Sequence, residues 1–220
     1  MDTDARRSPS QPADPAAPPR RRSQEERSEA TRGLLLEAAI DILLEQGYRR
    51  CTVVEICRRA GVTTGALQHH YGAKNHLMAE IIDRLFPGIE LWTPADPPAD
   101  DDLRDRCRRL VDAYWDIYRN PRYMAVWEVV VGSRSEPEVY DLVLQHQRAA
   151  TRAAEERFRR LFADTGLSRR ELADLCQFVT SELRGIALLR MFGDAVERRT
   201  GQVELLKDAI HQKLKRGPGA

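Results

Sequence analysis

Apolar residues recur at helical spacing along most of the chain, and no stretch shows a convincing strand alternation. Leu36, Ala39, Ile40, Leu43 and Leu44 form one stripe between Ser23 and Gly47, which predicts a first helix with Ser23 and Glu26 as a capping box. Val53, Ile56, Cys57 and Ala60 follow at i, i+3, i+4 and i+7. That spacing predicts a short second helix, opened by Thr52 and Glu55 as a further capping box. Gly61 supplies the left-handed exit and Val62 anchors the turn. Thr63 then caps a third helix over 64–70, with Leu67 and Tyr71 inward and Thr64, Gly65, Gln68 and His69 outward. So short a helix, carrying a glycine, is not stable alone and depends on its neighbours. Its free polar face in a helix-turn-helix suits the DNA major groove.

The same reading continues to the C-terminus. Lys74 to Phe86 carries Leu77, Met78, Ile81, Ile82 and Leu85, with the poor cap Ala73 before it. Leu103 to Arg119 places Leu103, Cys107, Leu110, Tyr114 and Ile117 on one side. Asn120 and Pro121 read as a cap and N1 proline of a helix to Gly132, and Pro137 opens a long helix to Ala163. Ser168 and Glu171 box the start of a helix to Phe192 with Leu172, Leu175, Cys176, Val179, Leu183, Ile186 and Ala187 inward. Val203, Leu206, Ile210 and Leu214 mark the last helix. The pattern predicts an all-α chain of about nine helices. Residues 1–23 read as a disordered basic tail ending in Arg20, Arg21 and Arg22, and 24–86 as the helix-turn-helix domain. Residues 87–102, rich in Pro and Asp, read as a linker in which Trp92 packs onto a helix, and 103–216 as a larger helical domain.

Composition narrows the partners. Hydrophobic content is 42% and net charge is +1, ordinary for a soluble chain and without the global basicity of a DNA-coating protein. A site-specific binder needs only local basic groups. No apolar run is long enough to cross a membrane and no secretory signal opens the chain, so a cytoplasmic protein without a membrane partner is expected. Cys51, Cys57, Cys107 and Cys176 are scattered and read as reduced core residues. His69 and His70 are adjacent on a helix and point about 100° apart, so they cannot share an ion; no metal and no cofactor are expected. No Ser-His-Asp spacing, G-x-G-x-x-G, P-loop or H-E-x-x-H is present, so catalysis is not expected.

The residues Thr52, Gly61-Val62-Thr63-Thr64-Gly65-Ala66-Leu67, His69-His70-Tyr71, Lys74 and Leu77 resemble the signature of TetR-family transcriptional regulators. The resemblance covers residues 31–78. It implies that Thr64, Gly65, Ala66 and His69 lie near bases and Thr52, His70 and Lys74 near phosphates. Thr63, Gln68 and Tyr71 complete the candidate DNA face. Gln68 stands where most members carry Tyr, and a Gln can bond a base edge or a phosphate. The resemblance also implies a C-terminal domain that binds a small-molecule effector and dimerises. Candidate pocket residues are Tyr114, Tyr118, Met124, Trp127, Glu128, Phe158 and Phe178, because aromatics with a few polar groups line ligand sites well. A buried Glu128 needs a partner, either an Arg or a cationic ligand. Helices 168–192 and 200–216 are the expected homodimer interface. A dimer also follows from the short recognition helix, which needs a second half-site roughly 34–36 Å away. The expected function is a ligand-responsive, homodimeric repressor on a palindromic double-stranded DNA operator. The alternative is a helical protein-interaction module that has lost operator binding.

Overall fold

The structure is a computed structural model, and it describes residues 23–85, 102–193 and 200–217. The basic tail, the linker with Trp92 and most of the anticipated domain boundary lie outside these residues. Among the described residues there are nine α-helices and no strand. In chain order these are α1 (Gln24–Gln46), α2 (Val53–Ala60), α3 (Thr64–Tyr71), α4 (Lys74–Leu85) and α5 (Leu103–Tyr118). α6 (Tyr123–Gly132), α7 (Pro137–Leu161), α8 (Arg169–Leu188) and α9 (Thr200–Arg216) complete them.

Local chemistry sets most of the boundaries. The Ser23 hydroxyl accepts from the Glu26 amide at 3.1 Å, and the Ser23 amide donates to the Glu26 carboxylate at 2.7 Å. Ser168 and Glu171 repeat this at the start of α8. Each such cap is worth about 1 kcal/mol. Asp102 caps α5 through the Asp105 amide, and Pro137 sits at the first position of α7, where its missing N–H is harmless. α6 starts later than its proline suggests. The Asn120 carboxamide accepts from the Arg122 amide at 3.0 Å, so 120–122 form a turn and the helix opens at Tyr123. The expected run to Phe192 divides: α8 ends at Leu188 and a 3-10 turn spans Leu189–Phe192.

One hydrophobic core runs through all nine helices. α1 packs on α2, α3 and α4 and also on α6, while α4 packs on α6 and α7. The helix-turn-helix therefore stands directly on the larger helical layer. This double packing widens the buried face of α1 to include Leu35 and Ile42, whereas Leu44, expected inward, is exposed. α5 shows the same widening. Val111, Ala113, Trp115 and Tyr118 are buried, and Leu103 and Ile117 are only half-buried, because α8 and α9 flank the helix on different sides. The stripe of α8 is buried at every expected position, and so is that of α9. In α9 Lys207 is buried as well, paired with Asp112 of α5 at 2.5 Å and Glu204 at 2.6 Å.

Candidate nucleic-acid interface

α2 and α3 owe their geometry to two threonines and a glycine. The Thr52 hydroxyl accepts from the Glu55 amide at 3.3 Å. Glu55 does not reach back, so the expected box is only half-formed. The Thr52 amide already donates to the Arg50 carbonyl at 2.8 Å, and Glu55 instead pairs with Arg58 at 2.5 Å. Gly61 adopts φ 68°, ψ 29°, a left-handed exit that costs about 1–2 kcal/mol for other residues. The Val62 amide then donates to the Cys57 carbonyl at 3.0 Å. The Thr63 hydroxyl accepts from the Ala66 amide at 3.2 Å and starts α3.

α3 runs one residue further than anticipated. Leu67 and Tyr71 are buried, Ala66 and His70 are half-buried, and Thr64, Gly65, Gln68 and His69 face solvent. Tyr71 is thus a core residue rather than part of the open face. Its hydroxyl donates to the Arg32 carbonyl at 3.3 Å, and the Arg32 guanidinium, ion-paired to Glu80 of α4, lies 5.3 Å from its ring centre. Burial pushes the Tyr71 phenol up from its ordinary value. An open groove separates α3 from the start of α1, lined by Gln24, Arg27, Ser28, Thr31, His69 and His70. Among the described residues no three His, Cys, Asp or Glu side chains gather as a metal site.

Lys74 opens α4, and its ammonium stands 4.1 Å from the centre of the Tyr48 ring. Tyr48 was not singled out by the sequence, yet it joins four elements. It lies in a 3-10 turn, Tyr48–Arg50, right after Gly47, the C-cap of α1. Its amide, left without a helical acceptor, donates to Glu128 of α6 at 3.1 Å. Its hydroxyl donates to Glu136, just before α7, at 3.0 Å. Its ring occupies the space of a missing side chain, since a Cβ on Gly132 would sit 2.3 Å from Tyr48 Cβ and Cγ. Burial, followed by the Glu136 bond, pushes the Tyr48 phenol up. Glu128 is therefore held by a backbone amide, and among the described residues no Arg pairs with it. Arg49 and Arg50 of the same turn are exposed beside the start of α2.

The candidate pocket residues divide. Tyr114, Tyr118 and Phe158 are buried, with ring centres 6.5 Å apart for Tyr114–Tyr118 and 6.3 Å for Tyr114–Phe158. Met124, Trp127 and Glu128 are half-buried on α6. Phe178 is 46% exposed on the outer face of α8 and lines a surface groove with Gly185, Ile186, Leu189, Leu205 and Leu206. It belongs to that surface and not to the interior aromatic group.

Residues 35–81 match the family model for bacterial regulatory proteins of the tetR family. That span contains the whole α2–turn–α3 unit. Over that segment the chain is similar to TetR-family transcriptional regulators. The chain is 24% identical over 206 residues to the HTH-type transcriptional regulator CymR of Pseudomonas putida, covering 90% of this chain and 99% of that one. It is 32% identical over 124 residues to an HTH-type transcriptional regulator of Mycobacterium tuberculosis, spanning 60% of that protein's length. Among solved structures it resembles NalD, the secondary repressor of the MexAB-OprM multidrug efflux pump in Pseudomonas aeruginosa. The TM-score is 0.59 at 22% identity, over 84% of this chain and 96% of that one. It also resembles the flavonoid-responsive regulator FrrA, with TM-score 0.63 at 20% identity over 87% of this chain and all of that one. At those identities the structures establish the TetR fold alone. Both of these relatives, CymR and the Mycobacterium tuberculosis protein, are named as transcriptional regulators. No helix among the described residues is long and apolar enough to cross a membrane.

Proposed function

We propose that the chain is a homodimeric, ligand-responsive repressor that binds a palindromic operator in the cytoplasm. The observation that carries this reading is the outward face of α3, where Thr64, Gly65, Gln68 and His69 are exposed on a helix fixed by two capped turns. Hydroxyl and carboxamide groups bond base edges, and Gly65 with Ala66 permits close approach in the major groove. Thr52, Thr63, His70 and Lys74, with Arg49 and Arg50 beside them, take the flanking phosphates.

Dimerisation is assigned to α8 and α9. Phe178 and Leu205 are exposed there at 46% and 71%, and a Cβ on Gly185 would meet nothing within 4 Å. The chain itself gives no steric reason for that glycine. Close approach of a second α8 does.

Effector binding is transmitted through Tyr48. α6 and the turn before α7 grip it through Glu128, Gly132 and Glu136, while Lys74 of α4 covers its ring. A ligand that shifts α6 or α7 thereby moves the end of α1 and the start of α4, which flank α2 and α3. Such a ligand acts only through its different affinity for the two arrangements.

The test is affinity selection of genomic DNA fragments on the purified protein, followed by sequencing. An enriched inverted repeat supports the reading. If no fragment is enriched even at low salt, where phosphate contacts are strongest, the reading fails and the interaction-module alternative takes its place.

A further inference from the structure

The first turns of α1 project beyond the core. Residues 24–34 precede Leu35, the first buried position of the helix, so about 16 Å of it adds no buried residue. This overhang is nevertheless fixed against α3. The Tyr71 hydroxyl donates to the Arg32 carbonyl at 3.3 Å, and Arg32 pairs with Glu80 of α4 at 2.5 Å. Gln24, Arg27, Ser28 and Thr31 recur at i, i+3, i+4 and i+7 and share one side of the helix. That polar stripe is one wall of the groove whose other wall is His69 and His70. No Leu, Ile, Val, Met or Phe lines it, unlike the mostly apolar sites that take small molecules. The Arg27 guanidinium has no ion-pair or hydrogen-bond partner among the described residues. The imidazoles of His69 and His70 make no hydrogen bond there either, and their ring centres lie 5.2 Å apart. Glu25 is the one carboxylate in the lining that is not tied to a partner, since Glu26 is held in the Ser23 cap. The charged groups of the neighbouring helices are engaged elsewhere. Glu55 pairs with Arg58, Arg59 with Glu45, and Lys74 lies over the Tyr48 ring. His76 Nδ1 stands 2.8 Å from the Tyr71 carbonyl oxygen.

We infer that this groove seats a run of DNA backbone beside the α3 half-site, with Arg27 and Ser28 of α1 on its phosphates and the two histidines taking up protons as the phosphates arrive. The inference rests on the DNA-binding reading above and adds α1 and a proton to it. A guanidinium fork matches phosphate oxygens, and no carboxylate of the described fold competes for Arg27. A backbone suits the place better than a lone ion. His69 belongs both to the groove and to the exposed face of Thr64, Gly65 and Gln68, so a duplex read by that face lays its backbone along α1. Histidine is the side chain whose charge changes near neutral pH, and a neighbouring phosphate favours its charged form. The bound state therefore holds more protons than the free chain, and operator affinity rises as pH falls through the histidine range.

The test is fluorescence anisotropy of the full-length chain with two labelled duplexes, the most enriched genomic fragment and a scrambled version of it. Each is measured over a salt series and at about pH 6 and about pH 8, either side of the histidine range. Arg27→Ala weakens binding to both duplexes in similar proportion and lowers the slope of log affinity against log salt by about one for each half-site. Its melting temperature stays at the wild-type value, because Arg27 is exposed. Arg27→Lys keeps most of the slope. Wild-type affinity is about tenfold higher at the lower pH. His70→Gln removes most of that difference and His69→Gln part of it; the exposed His69 decides the matter if His70→Gln does not fold. An unchanged salt slope in Arg27→Ala, a loss confined to the genomic fragment, or a pH dependence that neither histidine variant reduces overturns the assignment. A wild-type chain that binds neither duplex, even at low salt, removes the regulator reading and this site with it. A wild-type chain that binds its fragment while Arg27→Ala binds as tightly loses this site alone.

Discussion

α3 and α8 each keep one face away from the core, and the two faces differ in chemistry. The outer face of α3 is Thr64, Gly65, Gln68 and His69, on a helix anchored by little more than Leu67 and Tyr71. The outer face of α8 carries Phe178 and Gly185 beside exposed Leu205 of α9, on a helix whose inner stripe is buried from Leu172 to Ala187. Polar groups on a helix too short to stand alone suit a polar, charged partner that reads their positions. Apolar groups on a rigid helix suit a partner that removes them from water, as a second copy does. Changes on these faces are therefore expected to act on partners, and changes behind them on the fold.

The largest effect is expected on the apolar face. Leu205→Glu places a charge in the proposed interface without touching the monomer core, since Leu205 is 71% exposed. Sedimentation is expected to show monomers, and operator affinity to fall about a hundredfold or more through loss of bivalent binding. A dimer that persists with full operator affinity would remove α8 and α9 as the interface.

Next comes the wall behind the polar face. Gly132→Ala drives a Cβ to 2.3 Å from the Tyr48 side chain, so α6 or Tyr48 must move. Chemical denaturation is expected to show about 2–3 kcal/mol of lost stability. An unchanged midpoint would mean that Tyr48 is not clamped.

The two smallest effects separate scaffold from contact on α3 itself. Thr63→Ala removes the cap on the Ala66 amide and is expected to cost about 1 kcal/mol of stability. Gln68→Ala is expected to leave stability within about 0.5 kcal/mol and to weaken operator binding by about 1–3 kcal/mol, with relaxed preference at one base position. If Gln68→Ala weakens all sequences equally, the side chain bonds a phosphate instead.

What the sequence made legible follows the range of the interactions. Caps at Ser23, Thr63 and Ser168 and the stripes of α8 and α9 involve residues three or four apart, and all of them stand in the structure. The Thr52–Glu55 box half-failed because a neighbouring turn, not visible in the spacing, already occupied the Thr52 amide. Phe178 was grouped with the interior aromatics by residue type, although its place on α8 lies off the stripe of Leu175, Val179 and Leu183. Periodicity alone puts it outside. The junction at Tyr48 was not readable, because its partners Glu128 and Glu136 lie 80 and 88 positions away.

The measurement that bears most directly on the central claim is hydroxyl-radical footprinting of the wild-type protein on its most enriched genomic fragment. The account predicts two symmetry-related protected patches whose centres lie roughly 34–36 Å apart, one for each α3 of a dimer. A single patch, or uniform weak protection along the fragment, would contradict it.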